Sequence, residues 1–415
     1  MLVAEVAVVG GGPAGAAAAI TLARAGRHVV LVDKARFPRD KCCGDGLTAG
    51  ALRELEALGL RPDTVPGWQT VLDVYLRSPS GRVVHLPLPR GAGDGLFAAC
   101  APRLSLDAAI VDLARAAGAK VLDGHALKGA ALTAAGDGID LEVAGLGVVN
   151  ARYVIGADGA WSPLRKALGA HQPGYLGDWH AFRQYFTGCG PATADLWVWF
   201  EPDLLPGYMW SFPLSDGRAN VGFGMERNQS FDAHRMGELW PELLQRGHVR
   251  EVLGEGATPE GTHRAWPIPA RVRDIPLTAA RGRALFVGDA ACATDPLTGE
   301  GIAQALVTGR RAGEAILAAG SDDPTQTARR YERAVRRELF ADHRLGDLLS
   351  RSLSHRKGAR IAIRAAGLTP WTRRNFARWL FEDYPRAVLA TPRRWAPRMF
   401  TAPGAYREGA NGAVR

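Results

Sequence analysis

The chain has little cysteine, no apolar leader and no long uncharged apolar run, and each lack narrows what it can be. Its five cysteines, Cys42, Cys43, Cys100, Cys189 and Cys292, are odd in number and scattered. That argues against a secreted disulfide framework and for a reducing, cytoplasmic setting. No close cysteine cluster offers iron–sulfur or zinc ligation, and no Walker-type loop is present, so no metal site is expected. Met1-Leu2-Val3-Ala4-Glu5 leads straight into an apolar strand, without the basic start and small-residue cleavage site of a secretory leader. No uncharged apolar stretch reaches the roughly 18 residues that span a bilayer. With 47% apolar and 22% charged residues, disorder is excluded as well, and 415 residues suggest two or three domains.

Charge is present but unevenly placed. Residues 351–415 hold 14 lysines and arginines against Glu382, Asp383 and Glu408, so the tail is strongly basic and the first 350 residues are slightly acidic overall. Such asymmetry points to an anionic partner such as lipid headgroups or a pyrophosphate, or to arginine used simply for solubility. Trp371-Thr-Arg-Arg-Asn-Phe-Ala-Arg-Trp379 belongs to no recognised nucleic-acid module, and nucleic acid is set aside.

The best-defined local pattern is at the start. Glu5 to Val9 reads as a buried strand, Pro13 to Ala25 as an Ala-rich helix ended by Gly26, and His28 to Val32 as a second strand closing on Asp33. Residues 5–33 thus form a βαβ unit of parallel-sheet type. Ala51 to Leu60 and Leu104 to Ala116 carry helical spacing, and Arg152 to Gly156 reads as another buried strand. From Trp179 to Gly224, aromatic and polar residues alternate, which predicts an antiparallel sheet. Ala284 to Val287 returns to a buried strand, followed by a helix over Ile302 to Ala319. Beyond residue 325 the chain reads as arginine-rich helices broken by Pro370, Pro385, Pro392 and Pro397.

The fold class expected is α/β. A discontinuous Rossmann-type domain takes residues 1–70, 101–170 and 270–325. An inserted antiparallel-sheet substrate domain takes 71–100 and 171–269, and a helical basic region takes 326–415.

Gly10-Gly-Gly12-Pro-Ala-Gly15 fits a dinucleotide fingerprint, set after a strand and opening a helix. Gly10 permits the tight turn, Gly12 lets a pyrophosphate approach the backbone, and Gly15 lets helix and strand pack closely. Pro13 and Ala14 begin the helix whose amino-terminus meets the phosphate charge. Asp33, followed by Lys34, is placed for the ribose hydroxyls. A dinucleotide fold by itself does not separate NAD from FAD. Two later segments, Gly156-Ala-Asp158-Gly159 and Gly288-Asp289, each put an acid after a buried strand, which suits ribityl hydroxyls. Pro296-Leu-Thr-Gly299-Glu-Gly301-Ile302 brings a second helix start toward a flavin ring, where its partial positive charge favours an anionic reduced flavin.

These segments, with Arg103-Leu-Ser-Leu-Asp107, resemble those of the flavoproteins that include aromatic hydroxylases, halogenases and geranylgeranyl reductases. The resemblance implies that Arg103 and Asp289 contact FAD. Within that group the sequence most resembles the geranylgeranyl reductase family. Phe37-Pro-Arg-Asp-Lys41-Cys-Cys43-Gly44-Asp45-Gly46-Leu-Thr48 is similar to that family's segment under the flavin. Pro206-Gly-Tyr208-Met-Trp210-Ser-Phe212-Pro213 is similar to its tyrosine-x-tryptophan-x-phenylalanine-proline substrate motif, although Pro206 stands one residue nearer the tyrosine than usual. The likeness spans about residues 5–320.

It implies hydrogen addition across carbon–carbon double bonds of a prenyl or polyene substrate, with Cys43, Gly44, Asp45 and Gly46 beside FAD and Tyr208 and Trp210 over the substrate. Cys43, Tyr208 and Trp210 are the catalytic candidates, Tyr208 as a proton donor or, at its ordinary pKa near 10, as a wall only. Tyr208, Trp210 and Phe212 alternate along a strand and share one face. For Trp197 and Trp199, core packing is the expectation. No second glycine fingerprint serves a nicotinamide, so the electron donor is external, with NADPH, NADH, ferredoxin and a deazaflavin all open. Two other readings stand beside this one. One is an oxygen-using monooxygenase or halogenase, although Tyr208 and Phe212 depart from the halogenase tryptophan-x-tryptophan-x-isoleucine-proline pattern. The other is a non-catalytic flavin- and lipid-binding switch attached to a membrane by the basic tail.

Overall fold

The computed structural model describes residues 2–91, 93–227, 233–319, 323–395 and 399–407. Pro397 and Glu408 lie outside them. The architecture is mixed α/β, built on two large sheets.

The first sheet has a parallel core. Strand Leu2–Val9 lies between Val29–Asp33 and Gly147–Gly156, with Lys120–Asp123 outside the former and Ala284–Phe286 outside the latter, all parallel. Val6-Ala-Val-Val9 and Val29-Val-Leu-Val32 are unbroken apolar runs because both faces of these central strands are buried. Thr278–Ala279 pairs antiparallel at one edge, and Leu127–Leu132 and Ile139–Val143 form an antiparallel annex on Gly147–Gly156 that the strand patterns do not announce. Helix Pro13–Arg24 returns the chain between the first two strands as the βαβ pattern predicts. Helix Ile302–Ala318 crosses it backbone to backbone. A Cβ on Gly309 would sit 2.0 Å from the Ala14 carbonyl oxygen, so only glycine permits that crossing.

The second sheet has seven strands in the order Thr258–Ile268, Trp179–Thr187, Arg218–Glu226, Tyr208–Leu214, Leu196–Trp199, Asp73–Arg77 and Val83–Pro87. All neighbours are antiparallel except Leu196–Trp199 with Asp73–Arg77. Ala98–Cys100, grouped by sequence with this sheet, instead joins Gly46–Thr48 and Gln69–Thr70 in a small third sheet. One face of the second sheet packs Phe182, Phe186, Met209, Val221 and Phe223 against Met236, Trp240 and Leu243 of a covering helix. Trp199 is fully buried in that core, and Trp197 stacks on Tyr75 at 4.5 Å, as expected of packing residues.

The basic tail is folded onto both sheets. Helix Pro324–Leu353 buries Tyr331, Val335 and Leu339 in the first core, and Ile363, Ala377 and Phe381 enter the core beside Val84 and Leu86. The helical segments are interrupted before Pro370 as expected, between Arg356–Ala366 and Pro370–Leu380, and Pro370 opens the latter, which Thr369 caps in a capping box. The missing N–H of proline costs nothing at that first position. Two tail arginines, Arg378 and Arg386, are buried in internal ion pairs and contribute nothing to a charged surface. Among the described residues, no helix is long and apolar enough to cross a membrane.

Candidate functional site

Where the carboxyl ends of the parallel strands meet the other face of the second sheet, a cleft opens with about 1320 Å³ of empty space, mouth included. Gly12, Pro13, Ala14, Gly159, Gly288, Asp289, Gly299, Gly301 and Ile302 line it from the first sheet's side. Tyr208, Trp210 and Phe212, with Trp179, Arg183 and Trp266, line it from the second. Lys41, Cys43, Gly44, Gly46 and Arg103 complete the walls. Ligands of open α/β sheets bind in this position, outside the strand ends.

Two helix amino-termini reach this cleft, and neither has a side-chain cap. Gly12 precedes Pro13–Arg24 and Gly301 precedes Ile302–Ala318. Their first amides are free to bind oxygen atoms of a ligand, and both helix dipoles favour negative charge there. Gly10 (φ +105°) leads the chain past Ala157, whose carbonyl oxygen would lie 2.2 Å from a Cβ at Gly10; a Cβ at Gly15 would lie 1.9 Å from the Gly10 oxygen. Neither glycine touches the cleft. Both shape the turn, which is the role their spacing predicts. Asp33 Oδ2 accepts the Gly11 amide at 2.6 Å, fastening that turn to the second strand. The residues present therefore fit a dinucleotide such as FAD, with the turn and the two helix starts to hold it.

Charged groups around the cleft are paired. Lys41 Nζ lies 2.9 Å from Asp289 Oδ2. Burial alone would raise the pKa of Asp289, but Lys41, with Arg103 and Thr294, outweighs it and holds the carboxyl below its ordinary range. Arg103 binds Asp107 through two bonds of 2.7 and 2.8 Å, and Arg39 adds a third of 2.7 Å. The i, i+4 spacing of Arg103 and Asp107 makes that pair readable from sequence. Arg183, which the motifs do not single out, binds Asp40 at 2.9 Å and the Cys43 carbonyl oxygen at 3.3 Å.

Tyr208, Trp210 and Phe212 form a continuous wall, with ring centroids 5.9 Å apart at each step. Trp210 stands opposite Gly222 across the ladder. A Cβ there would come within 2.4 Å of the indole, so the glycine makes room for the ring. The Tyr208 hydroxyl donates to the Thr298 carbonyl oxygen, and burial pushes its pKa up. Trp210 Nε1 donates to Asn220 Oδ1 at 3.2 Å. Burial also raises the Cys43 thiol, which is held neutral, with the Asp45 amide 3.4 Å from its sulfur.

Behind the Gly299–Gly301 turn, three carboxyls share one guanidinium. Arg386 Nη1 is 2.6 Å from Asp295 Oδ1, and Nη2 is 3.5 Å from Glu382 Oε1. Asp295 also accepts the Leu297 and Thr298 amides at 2.9 Å, and Glu382 accepts Thr48 Oγ1 at 3.0 Å and Gln304 Nε2 at 2.6 Å. Glu300, the third acid, lines the cleft, and its buried Oε2 has no hydrogen-bond partner. Nearby His343 is buried and its pKa lowered by desolvation, so it brings no second cation. One positive charge cannot balance three carboxylates in a buried site, so a proton stays in the cluster. Glu300, which lacks the donors its neighbours have, holds it. Burial, then the charges of Glu382 and Asp295, push its pKa well above the carboxylate range against the pull of Arg386.

Besides Gly10 and Gly15, five residues expected at the cofactor do not line the cleft: Asp33, whose oxygens accept the Gly11 and Ala35 amides, Lys34, Asp45, Asp158 and Pro296. Both Asp158 oxygens are used locally, accepting Ser162 Oγ at 2.6 Å and the Leu164 amide at 2.8 Å, so this acid caps the short Pro163–Ala167 helix. Its neighbour Gly159 reaches the cleft instead. Lys34 is exposed and does not line the cleft, because the strand has ended and its side chain points to solvent. Pro296 is buried against Gly346 of the Pro324–Leu353 helix. Asp45, at φ +66°, sits behind the wall, where Oδ2 accepts the Tyr185 hydroxyl at 2.7 Å and Asn220 Nδ2 at 2.8 Å. Burial raises its pKa to about 6. Sequence reasoning missed Arg183, Glu300, Glu382 and Arg386 because their partners come from distant segments. For Glu300 the one available signal was an acid between two glycines at a helix start.

Residues 3–319 match the FAD binding domain family. The chain is 35% identical to the menaquinone reductase of Mycolicibacterium smegmatis over 360 residues, which cover 80% of this chain and 81% of that protein. It is 32% identical to digeranylgeranylglycerophospholipid reductase 1 of Methanopyrus kandleri over 346 residues, 79% of this chain and 84% of that one. Its fold is that of a geranylgeranyl bacteriochlorophyll reductase-like protein from Thermoplasma acidophilum, with a TM-score of 0.78 over 95% of this chain and 100% of the other at 21% identity. A p-nitrophenol 4-monooxygenase from Pseudomonas putida shares it too, at a TM-score of 0.72 over 91% and 97% of the two chains with 17% identity. The cofactor is FAD, and the reading as a non-catalytic carrier falls. The chain is an FAD-dependent oxidoreductase and belongs to the geranylgeranyl reductase family.

Proposed function

We propose that this enzyme reduces carbon–carbon double bonds in the prenyl part of a lipid or quinone. The observation that carries the reading is the aromatic wall of Tyr208, Trp210 and Phe212 lining the same cleft as the two uncapped helix starts. A long apolar chain laid along that wall loses water along its length, which supplies affinity without polar recognition. The names of the relatives, reductases of menaquinone and of a digeranylgeranyl phospholipid, support the same class.

FAD, when bound and reduced, supplies the two electrons that such a reduction consumes. The free N–H groups in the first turns of the Pro13–Arg24 and Ile302–Ala318 helices would hold it, with Arg103 and the Lys41–Asp289 pair lining the same cleft. Tyr208 and Trp210 orient the prenyl chain and exclude water, which is the larger part of the protein's task. Tyr208 shapes the wall and does not give up its proton, since the hydroxyl is committed to the Thr298 carbonyl. The proton that the second alkene carbon needs is held on the Glu300 carboxyl, which burial and the charges of Glu382 and Asp295 keep neutral against the pull of Arg386. Cys43 acts as a neutral thiol packed beside the flavin segment.

The test is anaerobic mixing of the photoreduced holoenzyme with menaquinone or with a geranylgeranyl lipid, followed by re-exposure to air and mass spectrometry of the lipid. Flavin reoxidation without oxygen, with a mass gain of two hydrogens that survives air, supports chain reduction. A gain that air reverses identifies reduction of the quinone ring, and flavin that reoxidises only with oxygen identifies oxygenase chemistry. Either result overturns the proposal.

A further inference from the structure

The Arg356–Ala366 helix has two apolar faces, and the cleft has no use for either. Ala359, Ile363 and Ala366 form the inner one, buried in the core beside Val84 and Leu86. Ile361 and Ala365, four apart, lie on the outer one, and Leu368 follows in the turn after the helix. Ile361 is 68% and Leu368 63% exposed, and Trp371, opening the next helix, is 72% exposed. Soluble surfaces scatter such residues singly, and three of them within eleven residues, over a helix, the turn after it and the next helix start, call for a partner.

The charge around this stripe says which partner. From Arg351 to Phe381 the sequence has no acidic residue and eight basic ones. Arg378 is buried in its pair with Asp383. Arg351, Arg356, Lys357, Arg360, Arg364 and Arg374 are exposed, and none of them makes an ion pair among the described residues. Arg360 and Arg364 flank Ile361, and Lys357 lies one turn before it. A second copy of the chain would set like charges against each other in a symmetric contact. Nucleic acid would take the cations but has no use for an aliphatic stripe. Cations beside large apolar side chains, with a tryptophan at the rim, fit the boundary between anionic headgroups and acyl chains.

We infer that the face carrying Ile361, Leu368, Trp371, Arg360 and Arg364 docks the enzyme onto an anionic bilayer surface. It lies flat on one leaflet, with the apolar stripe at acyl depth and the guanidiniums among the headgroups. This holds whatever the cleft reduces, because the docking face and the cleft share no residue.

The test is flotation of the FAD-loaded enzyme with vesicles of phosphatidylglycerol and phosphatidylcholine, and with phosphatidylcholine alone. The wild type is expected to float with the anionic vesicles at low salt and to be released by high salt. R360Q/R364Q is expected to bind them roughly 25-fold more weakly, at about fivefold per basic residue. I361S/L368S/W371S is expected to lose at least about tenfold. Because these side chains are exposed, both variants should keep flavin absorbance and thermal midpoint, which verifies that they fold. Wild-type enzyme that stays at the bottom with anionic vesicles overturns the inference. So do two folded variants that float like the wild type, or variants that change only self-association or binding to an RNA duplex.

Discussion

Lys41 and Asp289 stand 248 residues apart in the chain and meet at the cleft with 2.9 Å between Nζ and Oδ2. The contact joins the Phe37–Thr48 segment to the turn after the last parallel strand. The Lys41 ammonium also lies 5.7 Å from the Trp266 ring centre, so three segments meet at one charge. Asp289→Asn keeps the shape of the acid and removes its charge, leaving the ammonium uncompensated beside the helix starts. We expect FAD affinity to fall by about tenfold or more, the size of a lost charge-assisted bond. Titration of the apoprotein with FAD, followed by flavin fluorescence, measures it.

Glu300→Gln separates proton supply from cofactor binding. If the Glu300 carboxyl delivers the proton, turnover drops by about 10²- to 10⁴-fold while FAD content and prenyl-lipid affinity hold, since loss of a general acid costs that much. The stability effect has a definite sign. A carboxyl whose folded pKa is raised gives the native state more bound protons than the unfolded chain, so its stabilisation is lost as pH rises. The glutamine variant should therefore lose less thermal stability than wild type as pH climbs above the ordinary carboxylate range. Equal activity of the two proteins would remove Glu300 from the chemistry.

Asp45 offers a narrower pH window. Its pKa is raised to about 6 by burial, against about 3.9 in an unfolded chain. The favourable contribution is complete below about pH 4 and is lost through about pH 6, amounting to about 3 kcal/mol. Asp45→Asn tolerates the left-handed backbone at φ +66° and accepts the bonds from Tyr185 and Asn220. It sacrifices the Arg103 amide bond of 3.2 Å, a loss independent of pH. The thermal midpoint of the variant minus that of wild type should rise between pH 4 and pH 7, as read by differential scanning calorimetry.

Tyr208→Phe keeps the ring and deletes the hydroxyl bound to the Thr298 carbonyl. We expect about 1 kcal/mol of stability to be lost and turnover to stay within about fivefold of wild type, because the wall survives. Tyr208→Ala opens the wall and should raise KM for a prenyl substrate with a smaller effect on kcat. A hundredfold loss of kcat in the phenylalanine variant would make the hydroxyl a proton donor after all.

The local elements were legible because their causes are local. Glycines at 10, 12 and 15 between an apolar strand and an Ala-rich run dictate a turn whatever surrounds it. The alternation of Tyr208, Trp210 and Phe212 puts three rings on one side of a strand by geometry alone. The arginine and aspartate at 103 and 107 meet because one helical turn brings them together.

What the sequence by itself determined is thus the glycine turn, the βαβ unit, the aromatic face and, through the resemblance its motifs carry, the flavin family. Only the tertiary structure decided which acids face the cleft. Asp158 and Asp289 follow buried strands in similar ways, yet the first is consumed in capping a helix and the second meets Lys41. It also decided that the pKa of Glu300 is raised, since burial and the charge of Glu382, which arrives from the folded tail, outweigh Arg386. Charge and desolvation act through space, and separation along the chain says nothing of which groups will share one buried site.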